Sequence, residues 1–127
     1  MGIVKSINDR LIDDYLNADE IWSIISKIDW SSKIVVVPSL NIVFRLVDGD
    51  EVKVQYDMDF VEGGSNSRYW FIPFNEIWID YNIDSHDYYY IALHETIERI
   101  IMFVFGLDYD DAHKIANYYE KKFRSAT

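Results

Sequence analysis

A helical stripe of large apolar residues with two ionisable groups in its middle constrains this chain more than anything else in it. With His94 at 0° and each residue turning by about 100°, Tyr90, Ile91, Ile97, Glu98, Ile101 and Phe105 all fall within about 60° of it. Glutamate is almost never buried without a partner, and an uncompensated carboxylate there would cost several kcal/mol. A divalent cation would supply the compensation. Positions four apart project from one helix face, so the His94 imidazole and the Glu98 carboxylate can converge on one ion. Glu95 lies on the border of the stripe, where it can face water beside that ion. The competing arrangement is a core histidine hydrogen-bonded to the carboxylate, with no metal.

His94-Glu95-Thr96-Ile97-Glu98 follows the H-E-x-x-H pattern, in which the outer residues bind zinc and the inner Glu is the general base, except that Glu98 replaces the second His. A third ligand is expected from the last helix. There Tyr109, Ala112, Ala116, Tyr119 and Phe123 form an apolar stripe, with His113 and Glu120 along one edge. Folding back around Gly106 sets Glu120 nearly level with His94 and brings His113 within about a turn of Glu98, so either can reach. Two His and one Glu would leave a local charge of about +1 to acidify bound water, whereas one His and two Glu would be neutral and a weaker Lewis acid. This favours His113, with Glu120 a fourth ligand or a support behind the others. Zinc is the expected ion. Manganese or iron, held by Glu95, Glu98, Asp110 and His113, ranks below it because the usual four-helix setting is missing.

At 127 residues the chain makes one domain spanning 1–127, so any site is built on a single core. It has no Cys, which removes thiolate metal sites, disulfides and a thiol nucleophile. Against 12 Lys and Arg stand 22 Asp and Glu, and a net charge of −10 repels phosphate backbones and anionic lipid surfaces. Neither nucleic acid nor membrane is an expected partner. The longest apolar run, Ile100 to Leu107, is far below the roughly 20 residues of a membrane span. Met1 to Ser6 do not begin a secretory signal, so a cytoplasmic location, in a cell or in the host of an infecting agent, is expected.

The periodicities predict an α+β fold. Residues from Ser6 to about Ile28, among them Leu11, Tyr15, Ile21 and Ile25, read as one broken helix or two short ones. Ile34 to Val37, closed by Pro38, reads as a strand end or edge. Leu40 to Leu46 and Val52 to Phe60 both alternate apolar with polar residues, and Asp48-Gly49 between them predicts a hairpin. Gly63 to Ser67 reads as a linker, followed by strands at Tyr69–Ile72 and Ile77–Tyr81. Asp84 or Ser85 can cap a helix from about Asp87 to Phe105, Gly106 can end it in a left-handed turn, and Asp108 can cap a last helix to about Phe123. The expected order is N-terminal helices, an antiparallel meander of four to five strands, and a C-terminal antiparallel helical hairpin. His86 reads as exposed or as part of a cap.

The segment from Ile77 to Glu120, with His94-Glu95-x-x-Glu98, Gly106 and Asp110-Asp111-Ala112-His113-x-x-Ala116-x-x-x-Glu120, resembles small phage and archaeal-virus proteins with a zincin-like helical pair. The resemblance implies a minimal zincin-like, zinc-dependent peptidase or amide hydrolase, acting on a peptide or protein. It also implies that Ile77 to Tyr81 is the sheet edge that pairs with an extended peptide. Glu95 would act as base, and a Tyr from 88 to 90, Tyr109 or an Arg would steady the developing oxyanion. The alternative is a non-catalytic module that binds a basic protein or associates with itself, because Trp70 and Trp78 cannot both hide on alternating strands.

Overall fold

The computed structural model describes residues 7–126, with side chains from Ile12 onward; Ser6 and the rest of the N-terminal segment, and the side chain of Leu11, lie outside the described residues. Two helices come first, α1 (Ile7–Leu16) and α2 (Ala18–Ile25), broken at Asn17, whose φ of 54° is a left-handed conformation that no helix continues through. Strands β1 (Ile34–Val37) and β2 (Ile42–Val47) form an antiparallel hairpin joined by a 3-10 turn at Pro38–Leu40. Strand β2 alternates buried Ile42, Phe44 and Leu46 with half-buried Val43, Arg45 and Val47, as its sequence requires.

Strands β3 (Gly63–Ser65) and β4 (Glu76–Asp80) complete a four-stranded sheet in the order β1-β2-β4-β3. The α+β class, the strand count and the helical order are as expected, but the sheet is mixed: β3 runs antiparallel to β4, while β2 and β4 pair parallel. The predicted hairpin at Asp48-Gly49 is replaced by helix α3 (Gly49–Gln55). Asp48 caps it by accepting from the Asp50 amide at 3.1 Å, and the Gly49 amide donates to Asp80 Oδ1 at 2.9 Å. With β1 and β4 on its two sides, β2 has no free edge for residues 52–60. Of that alternating set only Val52 and Phe60 are buried, in a small second core with Tyr69 and Ile72 beneath the sheet. Tyr69–Ile72, predicted as a strand, is a turn in which the Ile72 amide donates to the Tyr69 carbonyl.

The other sheet face carries the main core, in which Phe44, Ile77 and Ile79 meet Ile25, Leu93, Ile97 and Ile101 of the helices. Helix α4 (Tyr88–Phe103) lies on this face and α5 (Tyr109–Ala126) packs along it. Asp84 caps the turn that leads into α4, which ends at Phe103, two residues before the expected Phe105; Gly106 turns the loop at φ 72°, and Asp108 accepts from the Asp111 amide at 2.9 Å to start α5. No helix among the described residues is long and apolar enough to cross a membrane.

Candidate metal centre

Two contacts fix how α4 and α5 meet. His94 touches Glu120 and Glu98 touches His113, so four residues forward on one helix correspond to seven backward on the other, which is an antiparallel pair. The hairpin therefore brings His94, Glu98, His113 and Glu120 to one place. Nε2 of His94 lies 3.2 Å from Oε2 of Glu98 and 3.2 Å from Nδ1 of His113, and that nitrogen lies 2.9 Å from the same Glu98 oxygen. These atoms form a nearly equilateral triangle. Ligands about 2.0–2.1 Å from a tetrahedral zinc stand roughly 3.3 Å apart, so the triangle needs only a slight expansion to hold one. The buried His94–Glu98–His113 group can bind a metal ion.

Chemistry favours a cation there as much as geometry does. His94 is 6% exposed and Glu98 2%, and among the described residues Glu98 has hydrogen-bonding contacts only with the two imidazoles. If both rings are neutral, three lone pairs point at one spot. Glu120 stands apart from the triangle, on the opposite nitrogen of His94, with Oε1 2.9 Å from Nδ1. A carboxylate there fixes Nδ1 as the protonated nitrogen and frees Nε2 for the ion, the arrangement that orients many metal-bound histidines. Arg124 in turn donates to Glu120 at 2.9 Å and to Asp87 at 2.8 Å.

Without a metal, a proton on His94 can compensate the same carboxylates. Burial alone disfavours charge on His94, but hydrogen bonds to Glu120 and Glu98 outweigh it and raise the imidazole to about 10. Burial also disfavours charge on Glu120, yet its bonds to His94 and Arg124 hold it below the usual carboxylate range. Glu95 sits one step around the helix, lining the same pocket, with no hydrogen bond among the described residues. Burial, then the charge of Glu98, pushes it up to about 8.

The triangle opens into a pocket of about 450 Å³, roofed by the segment from Asp59 to Tyr69 and floored by α4 and α5. Gly63 and Gly64 allow this segment to pass so close. A Cβ on Gly63 would stand 2.7 Å from Ile91 and 2.8 Å from the Trp78 carbonyl, and one on Gly64 2.5 Å from the Tyr69 ring. The first three residues of the stretch predicted as a linker, Gly63–Ser65, are thus a buried edge strand, its glycines required by close approach. The resemblance's assignment of Ile77–Tyr81 as the sheet edge is corrected accordingly, since β4 lies between β2 and β3, and β3 is the edge beside the pocket.

Of the tyrosines near the site in sequence, only Tyr109 reaches it. Its hydroxyl is 3.3 Å from His113 Nδ1 and its ring stacks on the imidazole at 5.3 Å. Tyr88 instead donates to the Tyr81 carbonyl, Tyr89 packs on Trp30, and Tyr90 stacks on Trp22. His86 is exposed, with its ring 5.8 Å from that of Tyr90, and Asp110 is exposed on α5; neither joins the triangle. Sequence reasoning did not single out Arg68, which lines the pocket and donates to the Tyr109 hydroxyl. It precedes the site by a whole strand and has no periodic relation to either helix. No protein-family model, curated protein or solved structure matches the chain.

Proposed function

We propose that the protein is a zincin-like, zinc-dependent hydrolase of peptide or amide bonds, with His94, Glu98 and His113 as zinc ligands, Glu95 as general base and Glu120 supporting His94. The triangle of donor atoms 2.9–3.2 Å apart carries this reading, because it places a buried carboxylate where only a proton or a cation can compensate it. Zinc held there would polarise the scissile carbonyl and acidify an attacking water. Glu95, which lines the pocket beside His94 and has no hydrogen bond among the described residues, would in its ionised form accept a proton from that water and return it to the leaving amine. The water oxygen bonds to the carbonyl carbon, the C–N bond breaks, and the two protons finish on the products. Tyr109, with its hydroxyl 3.3 Å from His113 Nδ1, is the donor placed to meet the negative oxygen.

The test begins with zinc content after purification without added metal, followed by cleavage of a quenched fluorescent peptide library. Glu95→Gln is expected to keep zinc and fold while losing at least about 100-fold in cleavage. His94→Ala is expected to lose the metal. A protein that takes up no zinc, or a Glu95→Gln variant as active as the parent, overturns the reading.

A second reading, a non-catalytic protein-binding or self-associating module, is favoured by one observation. Trp70 is 82% exposed beside Phe71, which stacks on half-exposed Tyr56 at 4.6 Å. It prevails if no peptide is cleaved and His94→Ala changes only the melting temperature.

A further inference from the structure

Among the described residues Arg68 is the only Lys or Arg lining the pocket. The arginine ion pairs among the described residues are Arg45 with Glu76 and Arg124 with Asp87 and Glu120; Arg68 has none, although the chain carries a net charge of −10. Its contacts are neutral. It donates to the Tyr109 hydroxyl and lies over the Tyr109 ring at 4.7 Å and the Tyr69 ring at 5.4 Å. Guanidinium offers five donors in a planar fork, most of them unused here, and that fork matches a carboxylate in two parallel bonds. Because the Tyr109 oxygen touches both Arg68 and, at 3.3 Å, His113 Nδ1, the guanidinium stands within about 6 Å of a proposed ligand atom.

We infer that Arg68 anchors a carboxylate of the substrate, so that the site takes short peptides or acylated amino acids whose free carboxylate lies a few bonds from the one being cleaved. This rests on the zinc-site reading and names the substrate class for it. Tyr109 holds the guanidinium in place by its hydroxyl and ring. Asp59, Glu62 and Glu95 line the same pocket and repel a carboxylate, so apart from the metal itself a preference for an anion has to originate at Arg68.

The experiment uses the full chain loaded with cobalt(II) in place of zinc, and two probes of equal length, 3-mercaptopropionate and 3-mercaptopropionamide. Each is titrated by its thiolate-to-cobalt absorption band, with affinities expressed per thiolate. The parent protein is expected to bind the carboxylate at least tenfold more tightly than the amide. Arg68→Gln should bring the two within twofold while leaving amide affinity and metal content unchanged, and Arg68→Lys should retain part of the preference. Equal binding of both probes by the parent overturns the anchor, and so does an Arg68→Gln variant that weakens both alike, which is what a residue merely bracing Tyr109 would do. Failure to take up cobalt or zinc at all refutes the metal site itself, and is told apart by the missing metal and the missing band.

Discussion

If a proton and a metal ion compete for one position, metal affinity must depend on pH in a way the structure sets. In the metal-free protein His94 is raised to about 10 by Glu120 and Glu98, so at pH 7 its ring is an imidazolium and Nε2 carries hydrogen. Zinc must displace that proton. Apparent affinity should then rise at least tenfold per pH unit, about thirtyfold between pH 7 and 8.5, which is roughly 2 kcal/mol at 1.36 kcal/mol per tenfold. The sign for folding runs the other way. A histidine raised from 6.5 in the unfolded chain stabilises the metal-free fold fully below pH 6.5 and loses this as pH climbs towards 10. Glu95, raised from 4.5 to about 8, also binds more proton folded than unfolded, and weakens the fold further as pH rises through 5 to 8. Melting temperature without metal should therefore fall from pH 6.5 to 9, and the stabilisation by zinc should widen. Zinc titration against a chelator of known affinity, repeated in Glu95→Gln to remove the other group titrating in this range, measures the slope. An affinity flat from pH 7 to 8.5 would refute the shared proton and with it the tight His94–Glu98–Glu120 arrangement.

Two further outcomes follow from single contacts. Glu120→Ala removes the acceptor at 2.9 Å from His94 Nδ1 and should weaken zinc binding roughly 10–100-fold with the triangle intact, whereas Glu120→Gln, which keeps an acceptor oxygen, should lose less; chelator competition separates them. Gly64→Ala forces a methyl to 2.5 Å from the buried Tyr69 ring and should cost about 1–3 kcal/mol in urea unfolding, and an unchanged midpoint would show that the segment over the pocket yields freely.

Much of the fold was legible because the helices obey local rules. Asp84, Gly106 and Asp108 each perform the terminating or capping role their residue types favour, and the stripe from Tyr90 to Ile101 is buried as its period requires. The errors cluster where a long-range partner overrides a local preference. Asp48-Gly49 is a strong hairpin signal, but Asp80, 31 residues beyond Gly49, takes the Gly49 amide and leaves room for a helix instead. A Cβ on Gly49 would lie 2.2 Å from Asp80 Oδ2, so this glycine serves close approach and not the turn its neighbour suggests. Gly63 and Gly64 misled in the same way. A glycine signals permissiveness, and sequence does not say whether a turn or a crowded neighbour exploits it.

The site was legible for a different reason: its residues come from two adjacent helices, so helical period and one short loop determine who can meet. That logic brings His94, Glu98, His113 and Glu120 together and leaves only the division of labour between His113 and Glu120 open. The structure divides them by which nitrogen of His94 each faces, Nε2 for His113 and Nδ1 for Glu120. No periodicity carries that distinction, because it depends on ring orientation and on Arg124 steadying Glu120 from the end of α5. Arg68 lay out of reach altogether, delivered by a segment whose path depends on two crowded glycines and a buried tyrosine. The half of the pocket formed by the His94–Glu98–His113 triangle is thus encoded locally and the half around Arg68 by tertiary packing. Substitutions in the roof, at Gly63, Gly64 or Tyr69, should accordingly alter which ligands bind while leaving metal affinity nearly unchanged, and a roof variant that lost zinc as readily as His94→Ala would show that the two halves are one cooperative unit.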